Sequence, residues 1–153
     1  MPLLVRPFTA AHAQTVCSWR YPAPFSVYNL PSWEDALRLG YGLCREDVRQ
    51  REFCALCSGD ELVGFFRLRL QDASVLFAVG LAPEHCGRGL GPEAVRLALG
   101  ESARRYASLP VRLEVRAFNR RAIRVYERAG FRETGRRQAA SPSGPDEFIL
   151  MER

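Results

Sequence analysis

A chain of 153 residues, 47% hydrophobic and 25% charged, has the length and balance of one globular domain with a single continuous core, which leaves little room for a multi-domain reading. No apolar run approaches the roughly 20 residues that span a bilayer, and the opening MPLLVRPFTAAHAQ lacks the longer apolar stretch of a secretory signal, so a cytoplasmic protein without a membrane partner is expected. The formal charge is +5 and all 22 basic residues are arginine, but they are scattered without the interleaved aromatics of a strand-binding platform, which favours a solvated surface over a nucleic-acid site.

In chain order, LLVRPF (3–8) reads as a short first strand closed by Pro7. Thr9 is placed to cap a helix over residues 10–19, with Ala13, Val16 and Cys17 on one face. WRYPAPFSVYNLP (19–31) holds three prolines and four aromatics, too irregular for a helix or a central strand and too apolar to be left in water. It reads as an ordered aromatic loop. Ser32 then caps a second helix with an acidic first turn, Glu34 and Asp35, ending near Gly40 or Gly42.

REFCALCS (51–58) and ELVGFFRLRLQ (61–71), joined by Gly59-Asp60, read as a hairpin, with Phe66, Leu68 and Leu70 opposite Arg67 and Arg69. Cys54 and Cys57 spell C-x-x-C inside this apolar run, where residues three apart point to opposite faces. With five cysteines in all, and with His12 and His85 lacking a metal-ligand partner at helical or turn spacing, the pattern predicts reduced thiols and no metal site. SVLFAVGLAP (74–83) is a nearly continuous apolar run, expected of a central strand covered on both faces. A helix follows from Pro92 to about Tyr106, with Ala94, Val95, Ala98 and Leu99 on one side. VRLEVRAF (111–118) reads as a strand, NRRAIRVYERAG (119–130) as a helix and FRETGRR (131–137) as a strand. SPSGPD (141–146) is a predicted turn, and EFILME (147–152) a final strand.

Between the apolar strand and the long helix lies His85-Cys86-Gly87-Arg88-Gly89-Leu90-Gly91. A glycine-rich loop delivered to a helix N-terminus presents unpaired amides and the positive end of the helix dipole, and glycine lets the backbone come close to a phosphate. The dinucleotide fingerprint fails because Pro92 stands where its third glycine belongs, and the P-loop fails because the chain has no lysine. A plain flexible turn remains the alternative.

VGLAPEHCGRGLGPEAVRLAL (79–99) and LEVRAFNRRAIRVYERAGF (113–131) together resemble the two core motifs of the GNAT superfamily of N-acetyltransferases. The second motif is especially similar to the bacterial enzymes that acetylate the N-terminal amine of a ribosomal protein. The resemblance implies an α/β fold of the α+β type in one domain over 1–153, with a mixed, mostly antiparallel sheet of six to seven strands and about four helices. It implies acetyl-coenzyme A as cosubstrate and a primary amine, on a small molecule or a protein N-terminus, as acceptor; homodimerisation is left open.

Carried over by position, the backbone around Val79 and Leu81 holds the pantetheine arm, and the stretch Cys86, Gly87, Arg88, Gly89, Leu90 and Gly91 takes the pyrophosphate. Cys86 is a departure, since the family usually has Gln or Arg there and a short thiol cannot reach a phosphate as arginine does. Tyr126 matches the general acid; the alternative is a buried aromatic beside Ala122 and Ile123. Glu114, twelve positions earlier, matches the general base of the ribosomal-protein enzymes; the alternative is a solvent-facing partner of Arg112 or Arg116. Asn119 either touches the coenzyme or only caps its helix. Trp19, Tyr21, Phe25 and Tyr28 either line an acceptor slot or form a secondary core. Two other classes stay open, a non-catalytic acyl-coenzyme A sensor and an arginine-rich module associated with nucleic acid or the ribosome.

Overall fold

A computed structural model describes residues 2–141 and 144–153. The chain divides into two compact units, Met1–Arg67 with Val79–Leu90, and Leu68–Ala78 with Gly91–Arg153. The first unit holds β1 (Leu4–Pro7), α1 (Ala10–Ser18), α2 (Trp33–Leu39), α3 (Glu46–Glu52) and β2 (Phe53–Ser58). It also takes β3 (Glu61–Gln71) as far as Arg67 and β4 (Ser74–Leu81) from Val79 onward. The second unit holds the rest of β3 and β4, then α4 (Gly91–Tyr106), β5 (Val111–Arg116), α5 (Arg120–Arg128), β6 (Arg132–Ser141) and β7 (Gly144–Glu152).

The seven strands form one mixed sheet in the order β1-β2-β3-β4-β5-β7-β6. β4 runs parallel to β5, with Val75 opposite Val111 and Leu76 opposite Arg112. β1 with β2, β2 with β3, β5 with β7 and β6 with β7 are antiparallel. The expected fold class is therefore observed. No helix among the described residues is long and apolar enough to cross a membrane.

Local chemistry accounts for the helix starts in the first unit. The Thr9 hydroxyl accepts from the His12 amide at 3.1 Å while the His12 ring accepts from the Thr9 amide at 3.1 Å, a reciprocal cap that satisfies two amides with no partner inside the helix. Ser32 Oγ accepts from the Asp35 amide at 3.2 Å, and α2 closes on Gly40 at φ 74°, a left-handed conformation that suits glycine. The core of this unit gathers Phe8, Val16, Cys17, Trp19, Val48 and Phe53, with Phe8 stacked on Phe53 at 5.2 Å.

Helix α3 departs from the sequence reading, which starts a strand at Arg51 and leaves residues 46–50 unassigned. Its first turn carries Glu46 and Asp47 and its last turn Arg49 and Arg51, an arrangement that complements the helix dipole. Its inward face is partly charged, which hides the apolar period. Arg49 is buried and donates to the Leu43 carbonyl at 3.0 Å, while buried Glu52 accepts from Arg67 Nε at 2.8 Å. Five α-helices are thus present among the described residues, against about four expected.

Strand β4 also departs. Val75 and Phe77 are buried, but Ala78 is exposed and Val79, Gly80 and Leu81 are half-buried, so only its first half is enclosed as a central strand should be. Leu70, expected inside with Phe66 and Leu68, is exposed because it lies near the end of β3. β6 extends well past residue 137, to Ser141. The turn predicted over 141–146 falls partly on residues 142 and 143, which lie outside the described residues; β7 already begins at Gly144. Cys54 and Cys57 are both buried, since β2 is covered on both faces and its register shifts between Leu56 and Cys57.

Candidate active site

The glycine stretch and the exposed end of β4 both lie in the first unit up to Leu90. Gly64 and Gly80 let β3 and β4 approach closely there: a Cβ on Gly64 would lie 2.5 Å from the Gly80 carbonyl oxygen, and one on Gly80 would lie 2.6 Å from the Phe65 ring. Beyond Leu81 the chain makes a single 3-10 turn, Pro83–His85, and enters the loop. Gly87 and Gly89 have φ of 74° and 77°, backbone that a residue with a Cβ adopts only at a penalty. Nothing lies within 4 Å of a Cβ at Gly89, so conformation rather than space requires glycine there. Arg88 between them is exposed, and Gly91 opens the 16-residue α4.

Cys86, the departure from the expected pattern, turns its thiol back on the strand end. Its Sγ lies 3.7 Å from the Leu81 carbonyl oxygen and 3.5 Å from that of Ala82, weak S–H donor contacts. His85, without partners at helical spacing, finds one across the first unit: its Nε2 sits 2.5 Å from Glu61 Oε1. With Glu84 these side chains bring ligand atoms within 4.8 Å of one another at the surface.

The aromatic loop is ordered by its own hydrogen bonds. Arg20 donates to the Cys17 and Trp19 carbonyls at 3.0 and 2.7 Å, and the Tyr21 amide donates to Asn29 Oδ1 at 2.8 Å. The four aromatics divide. Trp19 is only 8% exposed and packs 6.2 Å from the Phe65 ring as part of the core. Phe25 and Tyr28 stack on each other at 6.5 Å, both half-buried. The Tyr21 hydroxyl donates to the Leu81 carbonyl at 2.5 Å, a contact across 60 residues of sequence. Burial, with the Cys86 thiol and the Glu84 carboxyl nearby, pushes the Tyr21 phenol well above its ordinary pKa, so it remains a neutral donor.

The second unit carries the candidate side-chain chemistry. Tyr126 is half-buried on α5, edge-on to Phe77 at 6.1 Å and to Phe131 at 5.9 Å, so two rings fix its orientation. Asn119 caps α5, its Oδ1 accepting from the Ala122 amide at 3.3 Å. Gly91 stands 3.5 Å, measured from a Cβ built on it, from the side chain of Val125, the neighbour of Tyr126. Glu114 lies on the exposed side of β5, between buried Leu113 and Val115, and forms an ion pair with Arg137 of β6. That partner is neither of the two arginines expected from the strand's own sequence: Arg112 donates to Ser74 and Gln71, and Arg116 pairs with Asp146. A cavity of about 520 Å³ along α4 and α5, lined among others by Arg96, Val125, Arg128 and Arg153, contains none of the predicted site residues.

The acetyltransferase (GNAT) family pattern matches residues 13–131 of the chain. A mycothiol acetyltransferase from Corynebacterium efficiens is 36% identical over 85 residues, covering 54% of this chain and 28% of its own length. The chain thus spans little more than a quarter of that relative. Among solved structures, a spermidine N-acetyltransferase SpeG chimera from Vibrio cholerae and hSSAT superposes with a TM-score of 0.79 at 21% identity, covering 99% of this chain and 94% of the other. The ribosomal-protein-S18-alanine N-acetyltransferase from Escherichia coli gives 0.71 at 20% identity, covering 98% and 92%.

Proposed function

Because the chain belongs to the GNAT acetyltransferase family, we propose that it transfers an acetyl group from acetyl-coenzyme A to a primary amine, with Tyr126 as general acid and Glu114 as general base. The observation that carries the reading is the half-exposed end of β4 running into two left-handed glycines at the start of a long helix. These residues fit the cosubstrate. Val79 and Leu81 offer main-chain groups to a pantetheine arm, and the amides from Gly87 to Gly91, with the exposed Arg88, suit a pyrophosphate. Cys86 adds no charge to that set, and Asn119, already engaged as a cap, stands as a secondary contact.

Acetyl-coenzyme A would supply the activated thioester; the chain's own groups supply orientation and protons. An ordinary phenol is protonated at neutral pH and can give its proton to a departing thiolate, the role proposed for Tyr126 and worth about 10²- to 10⁴-fold in rate for a well-placed acid. The Glu114 carboxylate can take a proton from an incoming ammonium directly or through water. Its ion pair with Arg137 holds the side chain in place. The acceptor is a primary amine. The curated relative and the structural neighbours are named as a mycothiol acetyltransferase, a spermidine N-acetyltransferase and a ribosomal-protein-S18-alanine N-acetyltransferase, so a panel spanning small amines and peptide N-termini is the suitable test. Amine-dependent release of the coenzyme A thiol is the readout.

A further inference from the structure

The Tyr21 hydroxyl belongs to the aromatic loop, and the Leu81 carbonyl to the strand end assigned above to the pantetheine arm. Their 2.5 Å hydrogen bond joins the two within the first unit. The bond is polar and half-buried, and burial keeps the phenol protonated, so its direction is fixed: Tyr21 donates and Leu81 accepts. Its far end is equally well held. The Tyr21 amide is tied to Asn29, the Asn29 amide donates to the Ser26 carbonyl at 3.0 Å, and the ring packs against the core that holds Trp19. At the near end, the Ala82 amide donates to the Val63 carbonyl at 2.8 Å, which anchors the residue after Leu81 to β3. One phenol therefore links the aromatic loop to the Leu81 carbonyl at the end of β4, which also receives the Cys86 thiol.

From this contact we infer that Tyr21 is a positioning residue: it ties the aromatic loop to the Leu81 carbonyl, so that filling the β4 end with acetyl-coenzyme A sets the loop against which the acceptor amine is held. The inference rests on the acetyltransferase reading. It corrects the simpler picture in which all four aromatics line one slot, because Trp19 is core and Tyr21 spends its donor on the strand.

The test is Tyr21→Phe, which removes the hydroxyl and keeps the ring. Trp19 and Trp33 lie in or against the same core, so their fluorescence reports on the loop without need of an acceptor. In the unaltered protein, titration with acetyl-coenzyme A changes tryptophan emission. In Tyr21→Phe the emission change is lost, while calorimetric titration with acetyl-coenzyme A gives a dissociation constant unchanged within about twofold. With the amine that turns over best among spermidine and an alanine-initiated peptide, the acceptor KM rises about tenfold, the scale of one hydrogen bond, while the acetyl-coenzyme A KM stays within about twofold.

An identical emission response in both proteins overturns the inference, as does a variant with a lower melting temperature and unaltered kinetic constants, which would mark a merely structural bond. Asn29→Ala, which frees the Tyr21 amide and leaves its hydroxyl, provides a second variant and is expected to shift the acceptor KM in the same direction. Failure of acetyl-coenzyme A to raise the melting temperature of the unaltered protein is a different result, and it would remove the acetyltransferase reading itself together with this one.

Discussion

The two compact units place their candidate chemistry in different parts of the polypeptide. In the first, the relevant groups belong to the main chain: the half-exposed end of β4, the amides around Gly87 and Gly89, and the Leu81 carbonyl held by Tyr21. In the second they are side chains on regular elements, Tyr126 on α5 and Glu114 on β5, oriented by neighbouring rings and by an arginine. On the proposed function, the contrast separates binding from chemistry. A main-chain site tolerates a change of side chain but not of backbone conformation, whereas a side-chain site fails when one functional group is removed and the backbone stays intact.

The largest effect expected on that basis is at Tyr126. Tyr126→Phe keeps the ring and its contacts with Phe77 and Phe131, so turnover should fall by about 100-fold or more while the acetyl-coenzyme A affinity stays within about twofold. Steady-state kinetics beside calorimetric titration separate the two, and unchanged turnover would remove Tyr126 from the acid role. The reverse split is expected at Gly89. At φ 77° a residue with a Cβ costs about 1–2 kcal/mol, so Gly89→Ala should weaken acetyl-coenzyme A binding by roughly tenfold and leave turnover at saturating ligand little altered. Equal binding by the two proteins would show that the amides of this loop are not in contact with ligand.

A smaller effect is expected at Cys86. Its thiol is turned toward the Leu81 and Ala82 carbonyls and contributes no charge, so Cys86→Arg should tighten acetyl-coenzyme A binding by about threefold to tenfold, with the gain shrinking at high salt as an exposed phosphate contact requires. A loss of affinity would mean that packing of the thiol at the strand end matters more than the missing cation.

Much of this contrast was legible in the sequence because the groups that make it are local. Thr9, Ser32 and Asn119 announce helix starts through their own side chains, and the structure has each of them accepting from an amide three residues on. The glycines at 87 and 89 mark a loop whose backbone can come close to a ligand, and both adopt left-handed backbone in the structure. What escaped the sequence depends on distance. Helix α3 was hidden because its buried positions include Arg49 and Glu52, satisfied by the Leu43 carbonyl and by Arg67, and a charged inward face does not register as an apolar period. Likewise Arg137 lies 23 residues from Glu114, and Leu81 lies 60 from Tyr21, so neither pairing has a local signature. The uniform apolarity of residues 74–83 gave no sign that β4 is enclosed at Val75 yet open at Ala78, since exposure there is decided by neighbouring strands.

The central claim is acetyl transfer to an amine, and it is tested most directly by following release of the coenzyme A thiol from acetyl-coenzyme A across a panel of small amines and peptides with free N-termini. The expected result is release that depends on a particular amine, that rises with its concentration to saturation, and that falls by about 100-fold in Tyr126→Phe. Tight binding of acetyl-coenzyme A with no amine-dependent release from any member of the panel would contradict it and identify the chain as a non-catalytic acyl-coenzyme A sensor.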